Sequence, residues 1–251
     1  MVAAVKLHRH VGRRRAARFL AEGPNLVEAA LRRGLVSEVF ATEDAAHRFG
    51  AMLAHVPVHL VTERAAKALS ETVTPVGLIA VCATPETSLD EVLAASPRLV
   101  AVAVEMSEPG NAGTLIRIAD AMGTDAVVFA GHSVDPYNGK CLRASAGSIF
   151  SIPVVVENDA ASAVSELTGA GLQVLATTVD GEMSLNSAAL EAALAEPTAW
   201  LFGPEAHGLP AQLAASATHR VHIPMPGNAE SLNVAAAAAI CLYQSARAQH
   251  P

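Results

Sequence analysis

The segment LVAVAVEM, residues 99–106, is apolar at nearly every position. A strand with one wet face would alternate, so continuous apolar character predicts a parallel strand covered on both sides. Five further short runs follow it: DAVVFAG (125–131), IPVVVE (152–157), LQVLATTV (172–179), TAWLFG (198–203) and HRVHIPM (219–225). Helical patterns separate several of them, from about 112 to 122, near 160–170, near 187–195 and at the C-terminus. Strands alternating with helices predict a mostly parallel sheet, and the functional loops of such a sheet gather at its strand C-termini. Apolar residues make up 51% of the chain and aromatics only 4%, so the core is built from Ala, Val and Leu.

A smaller α/β module precedes that sheet. FLAEGPNLVEAALR (19–32) places Leu26, Val27, Ala30 and Leu31 at helical spacing, with Gly34 to stop the helix. Strands are expected at 36–42, 56–61 and 77–83, with helices at 45–54 and over ERAAKALS. The Thr-, Ser- and Pro-rich segment TPETSLDEVLAASP reads as a linker holding one short helix around Leu89, Val92 and Leu93. The division is then a basic arm (1–18), a small domain (19–84), a linker (85–97) and a larger domain (98–251).

Charge is uneven. Net charge is −7, yet residues 1–90 carry 11 Lys/Arg against 9 Asp/Glu, and the remainder 6 against 15. Lys6, Arg9, Arg13, Arg14, Arg15 and Arg18 all precede the first acid, Glu22. Such a cluster either contacts phosphates or is a solvated arm or helix face. Cys82, Cys141 and Cys241 stand far apart with no CxxC spacing, which predicts a reducing cytosol and no structural zinc. No long apolar run suggests secretion or a membrane span. GxGxxG after the first strand, GxxxxGK[ST], GxSxG and zinc-binding histidine patterns are missing, so dinucleotide, phosphate-loop, hydrolase and metal chemistry lose their main support.

Three polar clusters fall at expected strand ends. In EPGNAGTLIRIADAMG, Asn111 can cap a helix and Gly113 allows close backbone approach, while Arg117 either points to water or reaches into a cleft. In LFGPEAHGLP, Gly203 ends a strand, Glu205 is isolated and Gly208 permits a tight turn. In IPMPGNAESLNV, Gly227 allows a turn, and Asn233 is costly in a helix unless its side chain bonds something.

Together these motifs, with RASAGSIF at 143–150, resemble those of the SpoU (TrmH) family of RNA ribose methyltransferases in the knotted SPOUT superfamily. FLAEGPNLVEAAL and SETVTPVGLIAV resemble the start and end of that family's ribosomal-protein-like substrate-binding domain. The resemblance implies a cytoplasmic homodimer whose C-terminal, mostly parallel sheet ends in a trefoil knot. It implies transfer of a methyl group from S-adenosylmethionine to a ribose 2′-hydroxyl of RNA, with ribosomal RNA favoured over transfer RNA, and neither DNA nor membrane as partner. A non-catalytic RNA-binding protein that kept the fold is the rival reading. By the same resemblance Arg117, Asn111, Glu205, Ser231 and Asn233 are catalytic-pocket residues. Thr177, Gly203, Ile223, Met225 and Leu232 would hold the cofactor. Arg9, Arg13, Arg14, Arg15, Arg18 and Arg143 would meet RNA.

Overall fold

A computed structural model describes residues 1–250, which form two compact units: 1–86 with 135–150, and 87–134 with 151 onward. The packing thus differs in one segment from a continuous domain over 98–251. Residues 135–150 leave the larger unit after its first two strands and pack with the N-terminal residues.

The first unit contains α1 (Val2–Val5), a 3-10 turn (Lys6–His8), α2 (His10–Ala16), β1 (Arg18–Glu22), α3 (Pro24–Arg32), β2 (Val36–Ala41), α4 (Glu43–Arg48), β3 (Val58–Leu60), α5 (Glu63–Leu69), β4 (Leu78–Ala83) and α8 (Gly139–Ser145). Its sheet has the order β1-β4-β2-β3, with β4 antiparallel to both neighbours and β3 parallel to β2. The expected single helix over 19–32 is really a strand and a helix. Gly23, at φ +88°, breaks the chain direction, and Pro24 then sits at the first helical position, where its missing N–H costs nothing. Gly34 at φ +68° ends the helix as the sequence suggested.

The basic arm is also corrected. Residues 2–8 and 10–16 are helical, and Ala4 and Leu7 lie in one apolar cluster with Leu20, Leu69 and Ile79. Arg13 is buried, donating from Nη1 to the carbonyls of Leu7 and His8 at 2.9 Å each and pairing with Asp135 at 2.6–2.7 Å. It is therefore a structural cation of the 135–150 segment, unable to reach RNA. Arg9, Arg14, Arg15 and Arg18 remain exposed. The same segment supplies Tyr137 and Phe150 to the ring cluster around fully buried Phe19, with centroid separations of 5.0 and 6.0 Å. Arg13→Met would leave Asp135 unpaired at low exposure and is expected to cost about 3 kcal/mol in denaturant unfolding.

The second unit contains α6 (Leu89–Ala94), β5 (Leu99–Val104), α7 (Pro109–Ala121), β6 (Ala126–Ala130), β7 (Val154–Glu157), α9 (Ala160–Gly169), β8 (Gln173–Thr177), β9 (Met183–Ser184), α10 (Ala188–Ala193), β10 (Thr198–Phe202), α11 (Ala211–Ala215), β11 (His219–His222) and α12 (Val234–Gln249). The sheet order is β7-β6-β5-β10-β8-β11-β9, and every pairing is parallel. All residues of β5, β6 and β10 are buried, as continuous apolar runs require. Helix α6 forms inside the expected linker because Ser88 and Glu91 make a capping box and Leu89 and Val92 are buried. Val102, Leu201, Val174 and Leu167 belong to one core cluster, and α12 packs on α7 and β10. Fully buried Trp200 donates to the Ser245 hydroxyl at 2.8 Å, which fixes α12 on the sheet. No helix among the described residues is long and apolar enough to cross a membrane.

Candidate active site

Strands β8, β10 and β11 all run in one direction, so the loops that follow them emerge on one edge of the sheet. A cavity of about 580 Å³ lies there, lined by Thr177–Asp180, by Gly203–Leu209, and by Ile223, Met225, Ser231 and Leu232, with α11 and the first turns of α12 completing the wall. That volume falls within the range typical of small-molecule sites.

The loop after β10 is bent back on itself. Gly208 at φ +66° donates its N–H to the Pro204 carbonyl at 2.9 Å. A Cβ on Gly203 would stand 2.6 Å from the Leu209 nitrogen and 2.7 Å from the Gly208 carbonyl carbon, so only glycine fits. Gly227 differs: nothing lies within 4 Å of a Cβ built there, and its φ is not positive, so the turn does not depend on it.

Glu205 ties the three motifs together. Its Oε1 accepts from Asn111 Nδ2 at 2.9 Å, from Asn233 Nδ2 at 2.7 Å and from the Val234 backbone N–H at 3.1 Å. Asn233 Nδ2 also donates to Asn111 Oδ1 at 3.1 Å. This places one carboxylate at the N-terminal ends of α7 and α12, where helix dipoles favour negative charge. Asn111 is not a cap: Glu108 holds that position, and Asn111 sits in the first turn of α7, facing Glu205. Asn233 is the cap of α12, with Oδ1 accepting from Ala235 and Ala236 N–H at 3.0 and 3.3 Å. Those bonds resolve the cost of placing an asparagine there. Asn233→Ala is expected to lower stability by about 1 kcal/mol in chemical denaturation from the lost cap alone.

Of the sequence-predicted cofactor residues, Thr177, Gly203, Ile223, Met225 and Leu232 all line the cavity. Thr177 donates its hydroxyl proton to the Leu201 carbonyl at 2.8 Å, whereas the neighbouring Thr178 hydroxyl is buried and makes no hydrogen bond among the described residues. Thr178 was not singled out by sequence, and neither were Asp180 and Arg220. Two adjacent threonines ending an apolar strand were the one available signal. Ser231 lines the cavity and is exposed.

Arg117 does not line the cavity. It is exposed on α7, about 9 Å along the axis from Asn111, and no hydrogen bond or ion pair holds it among the described residues. Arg143, expected to meet RNA, is partly exposed and instead faces Glu71 at 3.5 Å and Glu22 at 3.9 Å. Burial pushes the thiols of Cys82 and Cys141 up to about 12 and that of Cys241 upward too, so none is a nucleophile near neutral pH.

A parallel sheet whose C-terminal loops are clasped beside one cavity, preceded in sequence by a small α/β module, is the α/β architecture typical of the SPOUT class, which the family and structural matches show for this chain. The chain belongs to the SpoU rRNA methylase family, whose model matches residues 98–243. An MRM3-like substrate-binding domain model matches residues 3–80, which brings the helices of the basic segment into that domain. The chain is 38% identical to the 23S rRNA (guanosine(2553)-2′-O)-methyltransferase RlmP of Bacillus subtilis (strain 168) over 95% of its own length and 92% of the relative's. The structure of the SpoU methyltransferase AviRb from Streptomyces viridochromogenes in complex with AdoMet matches with TM-score 0.83 and 27% identity, covering 98% of this chain and 95% of that one. An RNA 2′-O ribose methyltransferase structure matches with TM-score 0.81 and 34% identity, covering 98% and 94%.

Proposed function

We propose that the protein transfers a methyl group from S-adenosylmethionine to a ribose 2′-hydroxyl of ribosomal RNA, and that it works as a homodimer in a reducing cytosol. The observation that carries this reading is the clasp of Asn111, Glu205 and Asn233, which ties all three family motifs together beside a cavity lined by the second and third. The residues present fit the cofactor. Leu209, Ile223 and Leu232 offer apolar walls to a purine, Gly203 lets the 203–209 turn fold tightly enough to form one side of the cavity, and the Thr178 hydroxyl, buried without a hydrogen bond among the described residues, is open to a polar partner. The trefoil threading expected of the family is supported by the close passage of Gly181 over the backbone of Arg220 and Val221, where a Cβ would stand 2.7–2.8 Å from their carbonyl carbons.

S-adenosylmethionine, when bound, supplies a methyl group already activated by its sulfonium. The chain must therefore align the ribose hydroxyl and relieve it of its proton. Arg117 has the free guanidinium for this role: its fork grips the phosphate beside the target ribose and polarises the hydroxyl. A guanidinium keeps its proton at ordinary pH, so Arg117 polarises the hydroxyl rather than accepting its proton. Since Arg117 does not line its own subunit's cavity, the homodimer reading places it against the partner's. Asn111 and Glu205 set the loop geometry, and Ser231 orients the RNA at the cavity mouth. Exposed Arg9, Arg14, Arg15 and Arg18 supply phosphate contacts.

Ribosomal RNA is favoured because RlmP, matched over nearly the whole chain, is by name a 23S rRNA enzyme. Incubating the protein with tritiated S-adenosylmethionine and either ribosomal or transfer RNA tests the reading. Label on the ribose of ribosomal RNA is expected. Label on transfer RNA alone would reassign the substrate, and label on neither would leave an RNA-binding protein.

A further inference from the structure

The loop after β8 forms one wall of the cavity, and it is stapled to β11 more firmly than a surface loop requires. The Thr178 N–H donates to the Val221 carbonyl at 3.0 Å, His222 Nδ1–H donates to the Gly181 carbonyl at 2.8 Å, and β9 pairs with β11 just beyond. Gly181 rests directly on the Arg220 and Val221 backbone, as described above. Glu182 then takes both the backbone N–H of Arg220 at 2.8 Å and its Nε–H at 3.0 Å. Hydrogen bonding from that backbone N–H first, and the Arg220 charge after it, hold the Glu182 carboxyl below the usual carboxylate range.

These staples place two charged residues at the cavity wall, Asp180 and Arg220. They touch only loosely, Nη1 to Oδ2 at 3.5 Å, with side chains 75% and 40% exposed. Arg220 Nη2 and Asp180 Oδ1 make no hydrogen bond among the described residues, so a free donor pair and a free acceptor stand side by side. A ligand that meets both as charges carries an anion and a cation a few ångströms apart. A ribose diol meets them only through neutral hydrogen bonds, weaker than charge-assisted ones. An α-amino-acid end carries the required pair, an ammonium and a carboxylate on one carbon.

Resting on the methyltransferase reading of the cavity, we infer that Asp180 and Arg220 recognise the amino-acid end of S-adenosylmethionine, Asp180 taking the ammonium and Arg220 the carboxylate. The pair positions the cofactor without touching the transferred methyl group. Two ligands isolate the claim. S-adenosylhomocysteine carries the amino-acid end, and 5′-methylthioadenosine keeps the adenine, ribose and thioether without it.

Isothermal titration of the full chain with both ligands, in wild type, Asp180→Asn and Arg220→Gln, tests the inference. Asp180→Asn is isosteric at an exposed position and preserves the fold. The expected result is a loss of about 10-fold in S-adenosylhomocysteine affinity for each variant, with 5′-methylthioadenosine affinity unchanged. An equal loss for both ligands in Asp180→Asn would overturn the inference, because it would move the contact to the ribose or to loop structure. Unchanged affinity for both ligands would overturn it as well. If the wild type binds neither ligand, the cofactor reading of the cavity fails, and this inference with it.

Discussion

Arg117→Ala is expected to lower methyl transfer by about 10²- to 10⁴-fold, the range for losing a group that manages the proton of the reacting hydroxyl, with S-adenosylhomocysteine affinity unchanged. The split follows from position. Arg117 is exposed on α7 and does not line the cavity, so its removal leaves the cofactor walls in place. Arg117→Lys separates charge from geometry. Lysine keeps the positive charge and loses the planar fork that can hold a phosphate while facing a hydroxyl. If the fork matters, the lysine variant stays within about tenfold of the alanine variant; the proposed role is wrong if lysine restores full turnover. Single-turnover methylation with saturating cofactor is the measurement, because it separates the chemical step from RNA release.

The second large effect is expected at Gly203. In Gly203→Ala the new methyl would meet the Leu209 nitrogen at 2.6 Å and the Gly208 carbonyl carbon at 2.7 Å. Both are backbone atoms, so the whole 203–209 turn must shift. Opposed packing of this kind costs about 1–3 kcal/mol. The displacement also moves Glu205, which anchors the ends of two helices, so cofactor binding should fall by about 100-fold or more, beyond what the stability loss alone implies. Gly227→Ala is the matched control. Its new methyl meets open space, and both stability and cofactor affinity should stay at wild-type values. Equal damage at both glycines would show that the backbone approach at Gly203 is not what demands glycine there.

These two glycines show where the sequence was legible. Both stand in glycine-bearing turns at strand ends, and a pattern in the sequence cannot distinguish a turn folded against itself from one open to water. The central strands were readable because burial on both faces leaves no polar position in β5 or β6. β1 was missed because Phe19, Leu20 and Ala21 run straight into the helical spacing of Leu26 and Val27, and only the conformation of Gly23 separates them. Arg13 looked like its neighbours in an arginine run. Its partner, Asp135, is 122 residues away, so nothing local marked it as buried. The site divides in the same way. Asn111, Glu205 and Asn233 were singled out because each sits in a recognisable motif, although their shared hydrogen bonds were not foreseeable. Thr178, Asp180 and Arg220 belong to no motif, and only the docking of one loop on β11 brings them to the cavity.

The Glu205 clasp joins residues 28 and 94 positions from it, and Asn111 to Asn233 across 122. Contacts of such long range form late, since each closes a large loop before any compensating bond is made. The last partner to emerge during synthesis is Asn233, at the head of α12. A growing chain can therefore complete the strands β5 to β10 and still have no binding-competent cavity. Ligand affinity in this protein should arise abruptly, when its C-terminal helix docks, so that a half-made molecule on the ribosome cannot sequester the methyl donor.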